Sequence, residues 1–522
     1  MAGRTNLVNL DAMIAREDFA ASATETSDVG SVSSISVRDF TAGGLIGPAL
    51  RKPDFQRETN HWSPEQIVSL LQCFVNNDLI PSVILWKSSS YLFVIDGGHR
   101  LSVLRAWVQD DYGDGHISQQ YFGYEISGEQ KKTAVKTRAL VNQSVGPWKH
   151  FESAIADASL TSAERAKVTS VVARALPIQW VHGNADKAEN SFFMINTKGT
   201  PLDDLEESLL KSRRKAASIA ARAIIRAGKG HRYWSKFDPS TAENIEKLAQ
   251  RLHGVLFDPE LKRPIKTLDL PLGGPKGVRT ALSILIDLLM YVERGQAKVT
   301  PKIDMGEDDL DGTATANLLQ RAVRLANRIS GDDKGSLGLH PAVYFYGPTG
   351  RHSGPMFMGT VSLLAKKLAN NDDNFFEKFS NVRSKLEGLL VDNKDLIATL
   401  LQKNISSRRV STYADLLDQL VGDLGDNKTI IDEDLVRICG LEGKILVGTA
   451  AKSSKDFSDD TKSEVFISNA LKSAMKCSIC EGYLDPEKSI SYDHVTRKQD
   501  GGLGVSENCA LSHPYCNQSV KN

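Results

Sequence analysis

The sequence predicts a multidomain α+β protein: an α+β domain in front, a mostly helical middle and a small metal-clamped module at the end. Three observations predict it. Two β-rich runs, SVILW at 82–86 and YLFVI at 91–95, follow an apolar run with helical spacing. Between about residues 200 and 450 the helical period recurs without an internal repeat. Four of the six cysteines crowd the end of the chain, at 477, 480, 509 and 516. In a non-secreted protein such clustering favours a metal site over a disulfide framework.

Composition sets the outer bounds. A chain of 522 residues has room for several domains, and 25% charged with 41% hydrophobic residues is ordinary globular usage. Lys+Arg and Asp+Glu are both 64, so no whole-chain positive field draws this protein to nucleic acid and any such contact must be local. The longest apolar run, at 281–292, is too short for a bilayer and carries Asp287. The first residues carry acids where a signal peptide needs an apolar run. The reading is a soluble, cytoplasmic protein with no membrane partner.

In chain order, residues 1–34 read as a flexible lead-in, small and polar from 20 onward. The domain at 35–200 opens with HWSPEQIVSLLQCFVNN, whose apolar residues Ile67, Leu70, Leu71, Phe74 and Val75 keep helical spacing. Ser63 is its N-cap and Pro64 its first position. The runs at 82–86 and 91–95 predict a buried hairpin, running into the turn Asp96-Gly97-Gly98-His99-Arg100 and another helix. The middle, 201–449, predicts helices at 241–256, 278–293, 314–329, 357–369 and 383–402. It opens on a basic run, 211–237, that suits either a DNA backbone or a solvated face. Gly347-Pro-Thr-Gly-Arg351 lacks the Lys-Ser/Thr ending of a phosphate loop and reads as a turn. The polar stretch at 450–470 reads as a linker before the module at 471–522.

That module offers two metal sites. Cys477-x-x-Cys480 and His513-x-x-Cys516 have the spacing of a closed structural Zn2+ site. Cys509 reads as a core thiol, because a fifth ligand would crowd a filled tetrahedron; Cys73 and Cys439 read as ordinary buried thiols. Asp493-His494, with Asn508 and Asn517 downstream, is the second constellation. A carboxylate and an amide oxygen are hard ligands suited to Mg2+ or Mn2+, and an adjacent His can take a proton from an attacking water. Residues 475–522 resemble an HNH endonuclease of the ββα-metal class. The resemblance makes His494 the general base, Asp493 and Asn517 the catalytic metal ligands, and Asn508 the residue that orients the base. Gly501-Gly502 matches the glycine pair between base and middle Asn, whereas the usual Cys-x-x-Cys-Asn ending is here His-Pro-Tyr-Cys-Asn.

The front domain carries Pro53-Asp54-Phe55-Gln56-Arg57, Trp62, Ile80-Pro81, the Asp96–Leu101 turn and Asn196-Thr-Lys198-Gly-Thr-Pro-Leu202. A glycine-rich turn opening a helix offers backbone amides to an anion. The set resembles the ParB-like domain of GmrSD-type modification-dependent restriction enzymes and of phosphorothioate-sensing nucleases. That family binds and hydrolyses nucleoside triphosphates, and some members sense modified DNA. Carried over by resemblance, the nucleotide- or phosphate-binding residues are Gln56, Arg57, Asp96, Gly97, Gly98, Arg100, Asn196 and Lys198, and His99 joins them as an imidazole able to act on phosphate. Gly98 stands where the family has Gln, and His99 fills its variable slot.

The resemblances together imply a metal-dependent endonuclease of anti-phage defence, acting on phage or modified DNA and gated by the front domain through a nucleoside triphosphate or a DNA modification. Two other readings fit the sequence: a nucleotide-regulated DNA-binding protein with a non-catalytic zinc module, and an RNA-cleaving HNH nuclease. A homo-oligomer is left open, and nicking or double-strand cutting depends on it.

Overall fold

The computed structural model describes residues 7–17, 19, 32–53, 56, 59, 62–123, 126–155, 157, 159–198, 205, 208–209, 212–228, 233–234, 236–275, 278–294, 308–443 and 456–520. The chain is mixed α/β and mostly helical, with a small sheet. It divides into two compact units, one formed by Met1–Arg213 with Lys229–Tyr233, the other by Arg214–Gly228 with Trp234–Asn522. No helix among the described residues is long and apolar enough to cross a membrane.

The first unit is built on a six-stranded mixed sheet in the order β1-β3-β5-β4-β6-β2. Its strands are β1 (Arg16–Glu17), β2 (Ser34–Ser36), β3 (Leu50–Pro53), β4 (Val83–Lys87), β5 (Leu92–Asp96) and β6 (Ala175–Val181). The expected hairpin is β4–β5, antiparallel with Leu85 opposite Val94 and Trp86 opposite Phe93. Helix α1 (Pro64–Val75) starts as its sequence predicts: Ser63 and Gln66 form a capping box ahead of Pro64. Its buried face (Ile67, Leu71, Phe74) joins one core with α2 (Gly98–Gln109) and α3 (Gly128–Ser144). Helix α4 (Ala185–Lys198) packs on β5.

Of the lead-in expected at 1–34, residues 1–6, 18 and 20–31 lie outside the described residues, and the part at 7–17 is corrected by this sheet. Val8, Leu10, Met13 and Ile14 are buried, β1 pairs in parallel with β3, and Leu10 N donates to Thr59 O at 2.8 Å. The reason lies in Asp11, an acid that makes the segment look solvated and is itself buried. Its carboxylate accepts from Lys52 Nζ (2.7 Å), Arg16 Nη2 (2.8 Å), Thr59 N (3.2 Å) and Tyr121 Oη (2.9 Å). A buried carboxylate survives only when so paired. Breaking such a cluster from one side is expensive: Lys52→Met is expected to cost about 3–5 kcal/mol, read as a fall in the denaturant midpoint.

The second unit is helical: α5 (Ala216–Ile225), α6 (Pro239–Phe257), α7 (Val278–Arg294), α8 (Thr313–Ile329), α9 (Gly354–Ala369), α10 (Asp373–Asp392), α11 (Arg409–Gly425) and α12 (Asp459–Lys472), with shorter helices between. α6 packs on α8, α5 on α7, and α11 on both α9 and α10. The run expected as one helix at 383–402 is two, α10 and Lys394–Lys403, broken at Asn393, whose amide donates to Leu389 O at 3.2 Å. Within the basic run, α5 is buried, Arg222 included, so it is not a solvated face. Gly347 N bonds back to Arg351 O at 2.8 Å, the expected turn. The expected linker contains α12, capped by Ser458 and anchored by buried Ile467 and Leu471, while Ser463 Oγ accepts from Ile265 N at 2.9 Å. The last segment adds a two-stranded ribbon of β7 (Ser491–His494) and β8 (Cys509–Ser512) and a short helical turn, Cys516–Val520.

Candidate functional site

The four ligands expected for the structural metal converge. One donor atom each from Cys477, Cys480, His513 and Cys516 lies within 4.8 Å of all the others. His513 Nδ1 is 3.4 Å from Cys480 Sγ and 3.9 Å from Cys516 Sγ. The edge of a tetrahedral zinc site joining nitrogen to sulfur is about 3.6 Å, given its bond lengths, so the donors fit the ion. The ring of His513 is oriented from behind, since Nε2 meets Tyr483 O at 2.9 Å and the hydrogen bond turns Nδ1 to the thiols. Burial lowers the His513 pKa and keeps the imidazole neutral, the form that ligates. Hydrogen bonds from Cys480 and Cys516 hold the Cys477 thiol low, while Cys480 is pushed up to about 11 by its bond with Cys477. Cys509 lies outside the cluster, as expected, but is exposed at the start of β8 rather than in the core. Cys439 is buried and Cys73 half-buried.

Beside this cluster stands the second constellation. Asp493 is buried and His494 half-buried at the end of β7, paired with Ala510 and Cys509 of β8. Asn508 staples the loop that leaves His494: Oδ1 accepts from Thr496 N at 2.6 Å, and Nδ2 donates to Thr496 O (3.1 Å) and Leu503 O (2.8 Å). The glycine pair is explained by the same staple. Gly501 has φ +89°, and a Cβ on Gly502 would lie 1.9 Å from Thr496 O. Asn517 Nδ2 donates to Ser491 Oγ (2.7 Å) and Tyr492 O (3.2 Å), tying the final helical turn to the strand just before Asp493. With its nitrogen so used, oxygen is the atom of Asn517 with cation-ligand chemistry.

In the first unit, the turn from β5 into α2 opens a cavity of about 180 Å3 lined by Gln56, Thr59, Trp62, Ile95, Asp96, Gly97, Gly98, His99, Arg100 and Phe192. The structure thus brings together Gln56, Asp96, Gly97, Gly98, His99 and Arg100. Arg57 lies outside the described residues, as do the side chains of Asn196 and Lys198, which end α4. Gly97, at φ +94°, caps the twelve-residue helix α2, whose first amides face the turn. Arg100 ties that turn, donating to Asp96 Oδ2 at 2.8 Å and Ser82 O at 3.0 Å. Gln56 Oε1, its side-chain amide oxygen, is buried with no hydrogen-bond partner among the described residues, an unused polar group suited to a ligand. Trp62 and His99 stack at 5.4 Å and 25°. Such a cavity is smaller than the roughly 300–1,000 Å3 that encloses a drug-sized ligand and has room for a group of phosphate or single-base size.

The two glycines of the turn are not equivalent. A Cβ on Gly97 would lie 2.6 Å from Val83 Cγ1, in a backbone conformation that disfavours side chains, whereas a Cβ on Gly98 meets only the Gln56 amide at 3.5 Å. Gly97→Ala is expected to cost about 1–3 kcal/mol. Gly98→Gln should cost less stability than Gly97→Ala, because its Cβ meets only ordinary van der Waals contact while the side chain fills the cavity. Thermal melts of the two variants side by side check the contrast.

Sequence reasoning missed Thr59 and Phe192 in the cavity, and Arg383, Glu387 and Tyr483 behind the cysteines. An Arg and a Glu four apart on a helix read as a solvent-facing ion pair; no sequence signal says that this pair is buried. Against known proteins, residues 37–214 match the family model of the GmrSD restriction endonuclease, N-terminal domain. No curated protein and no solved structure matches the chain.

Proposed function

We propose that this chain is a metal-dependent DNA endonuclease of a restriction-type defence system, cutting with a C-terminal HNH site under control of its GmrSD-like front domain. The front-domain match supports the restriction context. The observation that carries the chemistry is the joining of four residues from three separated motif segments at one ribbon: His494 and Asp493 on β7, Asn508 fixing the loop beyond them, and Asn517 hydrogen-bonded to the backbone just before Asp493.

In this reading DNA enters against the exposed side of the ribbon, where Tyr492, Val495 and Leu503 face solvent. His494 takes the proton of the water that attacks phosphorus in line with the departing 3′ oxygen. Asn508 holds the loop behind His494, so the imidazole keeps one approach to that water. Asp493 and the Asn517 oxygen would hold Mg2+ or Mn2+, whose charge would stabilise the phosphate and the leaving oxygen. Zn2+ at Cys477, Cys480, His513 and Cys516 is structural. At the front, the α2 amides and the Gln56 amide receive a phosphate of a nucleoside triphosphate, or a modified nucleotide of DNA, with Trp62 and His99 as a stacking plate. Homo-oligomer formation would turn nicking into double-strand cutting.

The test is incubation of the purified full chain with supercoiled plasmid and phage DNA in Mg2+ or Mn2+, with and without each nucleoside triphosphate. Cleavage that changes with nucleotide or DNA modification supports the gated nuclease. Cleavage of RNA alone, or DNA binding without cleavage under every condition, overturns it.

A further inference from the structure

The cysteine cluster does not stand on the C-terminal segment alone. Arg383 and Glu387, on α10, are buried against it with side chains 1% exposed and Nε to Oε1 at 2.7 Å. Glu387 Oε2 accepts from Tyr483 N at 2.6 Å, and the same residue's carbonyl receives His513 Nε2 at 2.9 Å. A hydrogen-bonded line therefore runs from Arg383 through Glu387 and the backbone N–H and C=O of Tyr483 to His513, a metal ligand in this reading.

Close approaches mark the same seam. A Cβ on Gly482 would sit 2.6 Å from Arg383 Nε, and one on Gly338 would sit 2.9 Å from His513 Cδ2. Arg383 also donates to Leu337 O, and to Gly338 O at 3.0 Å, while Tyr344 Oη donates to Glu387 Oε1 at 3.0 Å. Further along, Tyr515 N donates to Ser336 O at 2.9 Å and Gly331 N to Ser489 Oγ at 2.8 Å.

We infer that Arg383 and Glu387 are positioning residues of the metal centre, so that ion binding orders α10 and residues 330–346 together with the C-terminal ribbon and fixes the ribbon's direction on the helices. The inference rests on the metal reading of the cluster and not on nuclease activity; it stands or falls even if no DNA is cut. An outer partner of a ligating His that is lost typically weakens metal affinity about 10- to 100-fold.

Hydrogen exchange on the full chain, zinc-loaded and chelator-stripped, tests it. Stripping should raise exchange about tenfold or more in α10 and 330–346 as well as in 476–494, with α3 as the unchanged internal control; tenfold corresponds to about 1.4 kcal/mol of local opening. Glu387→Gln keeps shape and an acceptor but loses charge, and should weaken zinc retention against a competing chelator by at least tenfold. Exchange changes confined to 476–518 overturn the inference, as does a Glu387→Gln protein that retains zinc within about twofold of wild type. Should that variant not fold, the wild-type comparison decides alone.

Discussion

His494→Ala is expected to slow plasmid cleavage by about 10²- to 10⁴-fold, the usual worth of a positioned general base, without lowering the melting midpoint measurably. The imidazole is half-buried at a strand end, and its removal opens no core cavity. Asp493→Asn should fall as far in rate for a different reason, loss of a charged hard ligand, and its deficit should shrink at high Mn2+ where that of His494→Ala does not. Conversion of supercoiled to nicked plasmid over time separates the two. Undiminished cutting by His494→Ala would sink the assignment of the base, and equal rescue of both variants by Mn2+ would place both residues in one role.

Cys516→Ser is expected to have the larger structural effect. The apolar cluster of the C-terminal segment consists of Cys477, Leu484 and Cys516, with Ile479, Cys480 and Leu511 packed on it. Three of its members belong to the possible metal site, so little core would remain without an ion. Structural zinc supplies apparent binding energies of about 10–16 kcal/mol in small modules, far above what such a cluster buries. The variant should bind less than one zinc per chain by metal analysis, lose cleavage with His494 intact, and show the exchange pattern of the stripped wild type. A Cys516→Ser protein with full zinc content and wild-type cutting would show that the cluster is not a metal centre.

Legibility differed from site to site for physical reasons. The Cys477, Cys480, His513 and Cys516 cluster was readable because its members sit at short fixed spacings, which the fold merely closes. The front turn was readable in part: glycines announce a backbone that needs them, and Gly97 does, while Gly98 has room for a side chain. The lead-in was misread because burial of an ion is a tertiary fact. Asp11 looks solvated in one dimension, and only the parallel pairing of β1 with β3 sets Arg16 beside Lys52 around it. Cys509 was misread for the converse reason, since composition says nothing of which side of a two-stranded ribbon is covered.

By itself the sequence determined the periods, caps and ligand spacings, because helix start signals and metal geometry act over a few residues. It placed α1 behind Ser63, the hairpin at β4–β5 and the four residues that converge as a possible metal site. Only the tertiary structure decided which charges are buried and what stands behind the metal ligands. Arg383 lies 94 residues before Cys477 and Asp11 lies 41 before Lys52. No local rule couples such positions, and each becomes a partner only when packing removes the water that would otherwise satisfy it.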